Sequence, residues 1–348
     1  MSDEKRPLGT HLPSVISEGV TGGRSAVDMP GLLERYAKAK DRARSMMAHI
    51  HDQPHYWPEH DKLSSCSNRL LYRYYYVQDD MRLAEVMSCH KHLLCPMCAI
   101  FRGARTLRNY LERFQVLQGE NPQLRAYLVT FTVKNGPDLS ERFDHLAECL
   151  RRLHTRRRKY LSGKSKRAPY TEATKALGAV WSFEVTNNGN GWHPHCHSIW
   201  LCESRPDVNQ LQSEWQRITG DSFIVDVRKM YGEPVKSFAE VFKYSLKFST
   251  LDLDSNLHAY EVLCPTKPGR GRVGKRLLGS FGLFRGVPIG EAGPEEQLDD
   301  PACIEMLYRF VGGPEGGEYR LVETIDDDTE ASETDAYQIE TDELTTYL

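Results

Sequence analysis

The stretch from 178 to 201, "GAVWSFEVT", "NNGNGW" and "HPHCHSIWL" in succession, constrains this chain more than any other. Two runs rich in β-branched and aromatic residues flank a cluster of Asn and Gly, which supply the backbone freedom a tight reversal needs. The pattern predicts antiparallel strands over 178–186 and 193–201 with a turn at 187–192. Side chains alternate faces along a strand, so His193, His195 and His197 project to one side, with Ile199 and Leu201 beyond them. If Thr186 pairs with His193, Glu184 lies directly opposite His195 on that face, whereas a slip of one residue would send it to the other. Two or three imidazoles with one carboxylate form an N/O donor set suited to Mn²⁺, Mg²⁺, Zn²⁺ or another divalent ion. One histidine in a strand is more often structural, but three in alternation beside a carboxylate reverse that expectation. Other zinc chemistries fit less well: there is no H-E-x-x-H, and Cys95-Pro96-Met97-Cys98 puts the proline inside the pair rather than before it, unlike a deaminase.

Around this hairpin, apolar residues recur at helical spacing over 99–117 and 141–160, the latter with Leu146, Leu150 and Leu153 on one stripe. Strands are expected at 125–133 and 222–227. Helices are expected near 207–219, capped by Asp207 and stopped by Gly220, and near 235–249. Helices intermix with strands while the clear hairpin is antiparallel. The expected fold class is therefore α+β, a central antiparallel sheet carrying the histidines with flanking helices, preceded by a cysteine segment. Residues 1–30 and 312–348 lack periodicity and read as mobile ends. The expected division is a disordered N-terminus (1–30), a helical, metal-binding segment (31–117), a catalytic domain (118–290) and a largely disordered acidic tail (291–348). No apolar run is long enough to span a bilayer, and the N-terminus shows no apolar export segment, so a cytoplasmic protein without membrane contact is expected.

Of nine cysteines, four, Cys66, Cys89, Cys95 and Cys98, fall within 33 residues and end in a C-P-M-C knuckle. In a reducing compartment such spacing favours a metal over disulfides, and four thiolates would close a structural Zn²⁺ site. His90 or His92 could replace one sulfur.

Charge is segregated. Of the chain's 48 acids, 18 lie beyond residue 290 against two of its 45 bases, leaving the first 290 residues with 13 more bases than acids. Residues 142–167 hold ten bases and two acids, and 267–285 hold six bases and none. Such patches suit phosphate backbones. The candidate DNA contacts are Arg151, Arg152, Arg156, Arg157, Arg158, Lys159, Arg270, Arg272, Lys275 and Arg276. A solvated helix face followed by a basic loop is the plain alternative.

The segment "KSFAEVFKYSLKFS" (236–249) offers chemistry for the metal to serve. At 100° per residue Glu240, Tyr244 and Lys247 fall within about 60° of one another, with Phe238, Val241, Phe242, Leu246 and Phe248 opposite. A phenol can act as a covalent nucleophile once its phenolate is favoured, beside a divalent ion that polarises a phosphodiester. Lys247 could stabilise charge on the phosphate.

His193-Pro194-His195-Cys196-His197, followed after some 45 residues by Lys243-Tyr244-Ser245-Leu246-Lys247, resembles the second and third motifs of the rolling-circle replication initiators of small bacterial plasmids, members of the HUH endonucleases. "YLVTFTVKN" (127–135) resembles their first, threonine-bearing motif, and the order matches. The resemblance covers roughly residues 60–290, with Cys196 in a slot that is usually hydrophobic. It implies nicking of one DNA strand at a replication origin, with the tyrosine joined to the 5′ phosphate and the freed 3′ hydroxyl priming synthesis by host helicase and polymerase. By motif matching, His195 and His197 would hold a catalytic Mn²⁺ or Mg²⁺ with Glu184 or His193 as a further ligand. Tyr244 would be the nucleophile, and Glu240 would direct water at the closing strand transfer. Two readings compete: an HUH transposase, which commonly carries two tyrosines on this helix, and a zinc-containing DNA-binding protein without catalysis.

Overall fold

The computed structural model describes residues 29–76, 80–164, 167, 169–230, 234–242, 246–286, 303–314 and 316–326. Helix α1 (Met29–Ile50) buries Leu32, Tyr36, Ala39, Ala43, Met46 and Ile50, three or four residues apart, as one apolar stripe. There follow α2 (Trp57–Ser65), β1 (Arg69–Tyr75), β2 (Asp80–Val86) and the long α3 (Pro96–Glu120), which starts with Pro at its first position, where a missing N–H costs nothing. Then come β3 (Arg125–Thr132), α4 (Leu139–Leu161), β4 (Ala176–Asn187), β5 (Trp192–Cys202), α5 (Val208–Thr219), β6 (Val225–Lys229), α6 (Pro234–Phe242) and α7 (Leu253–Leu263). The short β7 (Thr266–Lys267) and β8 (Gly271–Arg272) form a ribbon. β9 (Leu278–Gly282), β10 (Ile304–Gly313) and β11 (Gly316–Asp326) complete the described strands, with one helical turn at Leu283–Gly286 after β9. The caps of α5 are those the sequence implies: Asp207 accepts from the Gln210 N–H at 3.0 Å, and Gly220 takes φ 79°.

The central sheet runs β6-β3-β5-β4-β9, antiparallel throughout, which puts the histidine strand in the middle. Alternation along the strands sorts its two faces. Phe131, Phe183, Cys196 and Trp200 pack on one side with Phe143 and Leu150 of α4 and Trp215 of α5. Leu128, Val180, Ile199 and Leu201 pack on the other with Leu107, Leu111 and Phe114 of α3 and Phe238 and Phe242 of α6. His195 and His197 share the parity of Ile199 and Leu201, so they look toward the α3/α6 side. Helices α3 and α6 meet closely at Gly103, where a Cβ would come within 2.9 Å of the Phe242 carbonyl oxygen.

A second sheet, β11-β10-β1-β2, is also antiparallel and packs against α1. It corrects the expectation for the acidic tail: Ile304–Gly313 and Gly316–Asp326 pair as antiparallel strands, the first of which also pairs with β1, Tyr72 opposite Met306. Acid content concealed this pairing. Its alternating "IEMLYRFV" carries only the inward residues needed for one buried face, and Tyr308 and Tyr319 are 8% and 7% exposed. The Tyr319 hydroxyl donates to the Ser67 carbonyl at 2.7 Å, and Asp41 accepts from the Gly317 N–H at 2.7 Å, tying hairpin, α1 and the Cys66 segment together. The segment expected to be helical and metal-binding is thus α+β in its own right and is completed by chain from beyond residue 300. Residues 1–28 and 327–348, for which the sequence predicts mobile ends, lie outside the described residues.

Tyr319→Ala should cost about 3–5 kcal/mol, because a buried ring and its hydrogen bond are both lost. At 2–4 °C per kcal/mol this lowers Tm by roughly 10 °C. A thermal melt shifted by less than 2 °C would show that the hairpin is not packed this way.

Candidate active site

Strands β4 and β5 pair with Glu184 opposite His195 and Thr186 opposite His193, the one of the two registers considered that brings Glu184 to the histidine face. Asn187 still pairs with Trp192, so the reversal is 188–191, two residues shorter than the expected turn. Gly189 and Gly191 take φ 84° and 87° there.

Three side chains converge on the α3/α6 face of the sheet. The Nε2 atoms of His195 and His197 lie 3.2 and 3.0 Å from one oxygen, Glu184 Oε2. Glu184 and His197 are 5% and 8% exposed, while His195 is half-buried. The far nitrogens are held from behind: Thr130 Oγ1 lies 3.1 Å from His197 Nδ1, and the His193 carbonyl 3.4 Å from His195 Nδ1. With Nδ1 as the donor in each ring, both Nε2 lone pairs point at the Glu184 carboxylate, the arrangement typical of imidazoles that ligate a metal. Burial holds the pKa of His197 below the ordinary histidine value, partly offset by the Glu184 carboxylate, so the ring stays neutral and ready to donate its lone pair. Ligands about 2.1 Å from an ion stand about 3.0 Å apart at right angles and about 3.4 Å apart in a tetrahedron, so the donor set fits one divalent ion. His193 stands outside this convergence. Its ring centroid lies 5.4 Å from that of His195, and the three atoms that cluster are those of Glu184, His195 and His197. Cys196 is fully buried on the opposite face, filling the slot assigned to it.

Helix α6 flanks this group. Phe238, Val241 and Phe242 are buried as its spacing predicts, and the Ser182 hydroxyl of β4 donates to the Val241 carbonyl. Glu240 is half-buried and near enough for its charge to favour protonated His197. The expected helix over 235–249 is corrected from Leu246 onward. Leu246 forms a parallel bridge with Val185, the Lys247 N–H donates to the Val185 carbonyl at 3.3 Å, and Phe248–Thr250 make a 3₁₀ turn. The reason is an open edge: β9 pairs with β4 only as far as Ser182 opposite Leu278, and the backbone of Leu246–Lys247 satisfies the exposed strand beyond. Lys247 therefore does not share a helical face with Glu240; its side chain is exposed. Tyr244 lies outside the described residues. Thr130 is the participant that motif reading left without a role. It sits directly opposite His197 across β3 and β5, a relation that appears only once those strands are paired.

The cysteines form a second group. Cys66 follows α2, Cys89 follows β2, and Cys95 and Cys98 open α3. All four sulfurs lie within 4.8 Å of one another, with Cys66 3.7 and 3.6 Å from Cys95 and Cys98, and Cys89 3.3 Å from Cys98. A tetrahedral ion bonded to sulfur at about 2.3 Å sets its ligands about 3.8 Å apart, so this group too could hold a metal. The Cys98 thiol is held well below its ordinary value because Cys66, Cys89 and Cys95 all donate toward it. Neither histidine substitutes for a sulfur: His90 is exposed, and His92 Nδ1 lies 3.0 Å from the Arg102 guanidinium. Buried Lys40 donates to the Cys66 carbonyl.

Several of the bases expected at DNA have other partners. Arg157 donates twice to the Ala176 carbonyl, at 2.6 and 3.1 Å, and lies over Phe281. Arg272 lies 5.0 Å from each of the Tyr56 and Tyr260 rings and 3.5 Å from Glu59. Lys275 pairs with Asp144 at 2.6 Å, Arg151 and Arg152 share Glu148, Arg158 donates to Thr155 and Arg276 to the Leu278 carbonyl. Lys159 and Arg270 are exposed and Arg156 half-buried. Among the described residues, no helix is long and apolar enough to cross a membrane.

A sequence model of a family described as replication protein matches residues 80–287. A curated protein named Protein rep, from Streptococcus pneumoniae serotype 2 (strain D39 / NCTC 7466), is 27% identical over 249 residues, covering 65% of this chain and 70% of that one. No solved structure matches the chain.

Thr130→Val keeps the volume of the side chain and removes the group that orients His197. It should weaken binding of a divalent ion at the histidine site by about 10- to 100-fold, read by calorimetric titration with Mn²⁺. Unchanged affinity would show that Thr130 does not position the ligand.

Proposed function

Because the chain belongs to the replication protein family and is a plasmid replication initiator, we propose that it nicks one strand of the origin through a 5′-phosphotyrosine link and so starts rolling-circle replication. The observation that carries this reading is the convergence of His195, His197 and Glu184 on the sheet face that α6 covers, on the chain just before Tyr244.

In this reading a divalent ion, Mn²⁺ or Mg²⁺, held by His195, His197 and Glu184 supplies Lewis-acid polarisation of the scissile phosphate. The Tyr244 oxygen forms a bond to phosphorus as the bond to the 3′ oxygen breaks, the phenol proton leaves, and the 3′ oxygen is protonated. One phosphodiester replaces another, with no change of oxidation state. The freed 3′ hydroxyl is a primer for a host polymerase, with a host helicase separating the strands. The backbone of Leu246–Lys247, docked on Val185, tethers the far side of the nucleophile segment one residue from Glu184. It also leaves the exposed Lys247 ammonium available to a phosphate. Glu240 lies near His197 and is the group that would direct or deprotonate water when the cycle closes. The cysteine group is assigned a structural Zn²⁺, since four thiolates leave no position for substrate. DNA contacts are assigned to the exposed Lys159 and Arg270 with Arg156, and His193 to a supporting position beside His195.

Incubation with supercoiled origin-bearing plasmid and Mn²⁺ should yield a nicked circle covalently joined to protein. His195→Ala or His197→Ala should lower the nicking rate at least 10³-fold while single-strand binding persists, and nicking at the wild-type rate by both variants would sink the assignment. Tyr244→Phe should eliminate both nick and adduct. Glu240→Ala should still nick but lose about 10²- to 10⁴-fold in the closing step, leaving products longer than one unit. Mass spectrometry decides against a transposase: a 5′ phosphate on a tyrosine other than Tyr244, or unit-length termination by Glu240→Ala, would overturn this division of labour.

A further inference from the structure

A second feature lies beside the cysteine group. A cavity of about 450 Å³ opens between the cysteine knuckle and the 272–277 segment, lined by Lys62, His90, Lys91, Arg102, Arg272 and Lys275 among others, and no Asp or Glu among the described residues lines it. We propose that this cavity binds a phosphate-bearing nucleotide of single-stranded DNA, a subsite separate from the histidine group. The proposal rests on the nickase reading only for the source of the strand.

Charge carries the argument. Glu59 is 4% exposed and its single carboxylate is shared among Lys91 at 3.2 Å, Arg272 at 3.5 Å and the Tyr260 hydroxyl at 2.8 Å; four thiolates on one Zn²⁺ would add negative charge behind Cys89, so the cations that face the cavity with no carboxylate partner among the described residues are Lys62 and Arg102. Arg102 is half-buried and faces the His92 ring; among the described residues it pairs with no carboxylate. Lys62 stands exposed at the rim. A guanidinium withdrawn from water without a counter-ion is costly, and an incoming phosphate lowers that cost while forming paired N–H bonds. The volume is that of a site for a small ligand, about 300–1,000 Å³, which admits one unstacked nucleotide and not a duplex. His90, held exposed at φ 56° after Cys89, lines the cavity with a ring on which a base can stack. Lys275, paired with Asp144 at 2.6 Å, and Arg272, stacked between two tyrosines, form the far wall rather than the free charge.

Fluorescence anisotropy of a labelled 15-mer of thymidine, without added divalent ion, tests this. Lys62→Glu with Arg102→Gln should weaken single-strand binding about tenfold and make the slope of log K against log salt shallower by about 0.7 for each phosphate no longer neutralised. Lys62→Glu alone, at an exposed position, should give part of the same loss if the double variant fails to fold. Binding of a duplex of equal length should change less than twofold. Wild-type single-strand affinity in folded variants, or an equal loss on duplex, would overturn the proposal. Because the readout involves no cleavage, a wild-type chain that never nicks plasmid would sink the nickase reading alone.

Discussion

One carboxylate oxygen, Glu184 Oε2, is approached by two imidazole nitrogens inside a largely buried face of the sheet. Everything else at the site follows from keeping that contact. A buried carboxylate is tolerable only when its charge is met by hydrogen bonds or a cation, and two imidazoles with free lone pairs meet it best when an ion lies between them. The contact in turn depends on register. Shifting β4 against β5 by one residue would place Glu184 on the face occupied by Phe183 and Cys196, and would expose the apolar set that holds α4.

The position of β5 in the sheet explains why the group is rigid. With β3 on one side and β4 on the other, the histidine strand has no free edge, and each neighbour contributes one polar side chain to it: Thr130 from β3, Glu184 from β4. Imidazole orientation is thereby set by paired backbone rather than by a loop, so a metal would meet ligands already aimed. Helix α6 is held against the same face by Gly103 and the aromatic contacts of Phe238 and Phe242, which include stacking of Phe242 on Tyr110 at 5.0 Å.

The cysteine group plays a different part. It joins α2, β2 and α3, whose Leu63, Met81 and Met97 lie in one buried cluster with it, and α3 continues from it to the face of the central sheet that carries the histidines. A metal there would organise the entry to α3 and the wall of the basic cavity, without an open position for chemistry. The C-terminal hairpin closes the module through Tyr319 and Ser67.

Local pattern was enough for much of this. The hairpin, expected over 178–201, the capped α5 and the spacing of the four cysteines were legible because strand alternation, turn chemistry and cap residues act over a few neighbours, while Glu184 opposite His195 was one of two registers that alternation left open. The end of α6, the role of Thr130 and the β10–β11 hairpin were not. Leu246 leaves helical geometry to complete an open edge of β4, Thr130 meets His197 across 67 residues of chain, and Tyr308 and Tyr319 are buried only because α1 and β1 provide the surface. The basic runs show the same limit. Composition marked Arg157, Arg272 and Lys275 as free charge, but aromatic rings and carboxylates brought in from distant segments engage all three. The sequence by itself determined which side chains share a strand face, since that is set by a period of two. Only the tertiary structure decided which edges, rings and counter-charges those side chains meet, because such partners are selected by burial and backbone satisfaction between elements far apart in the chain.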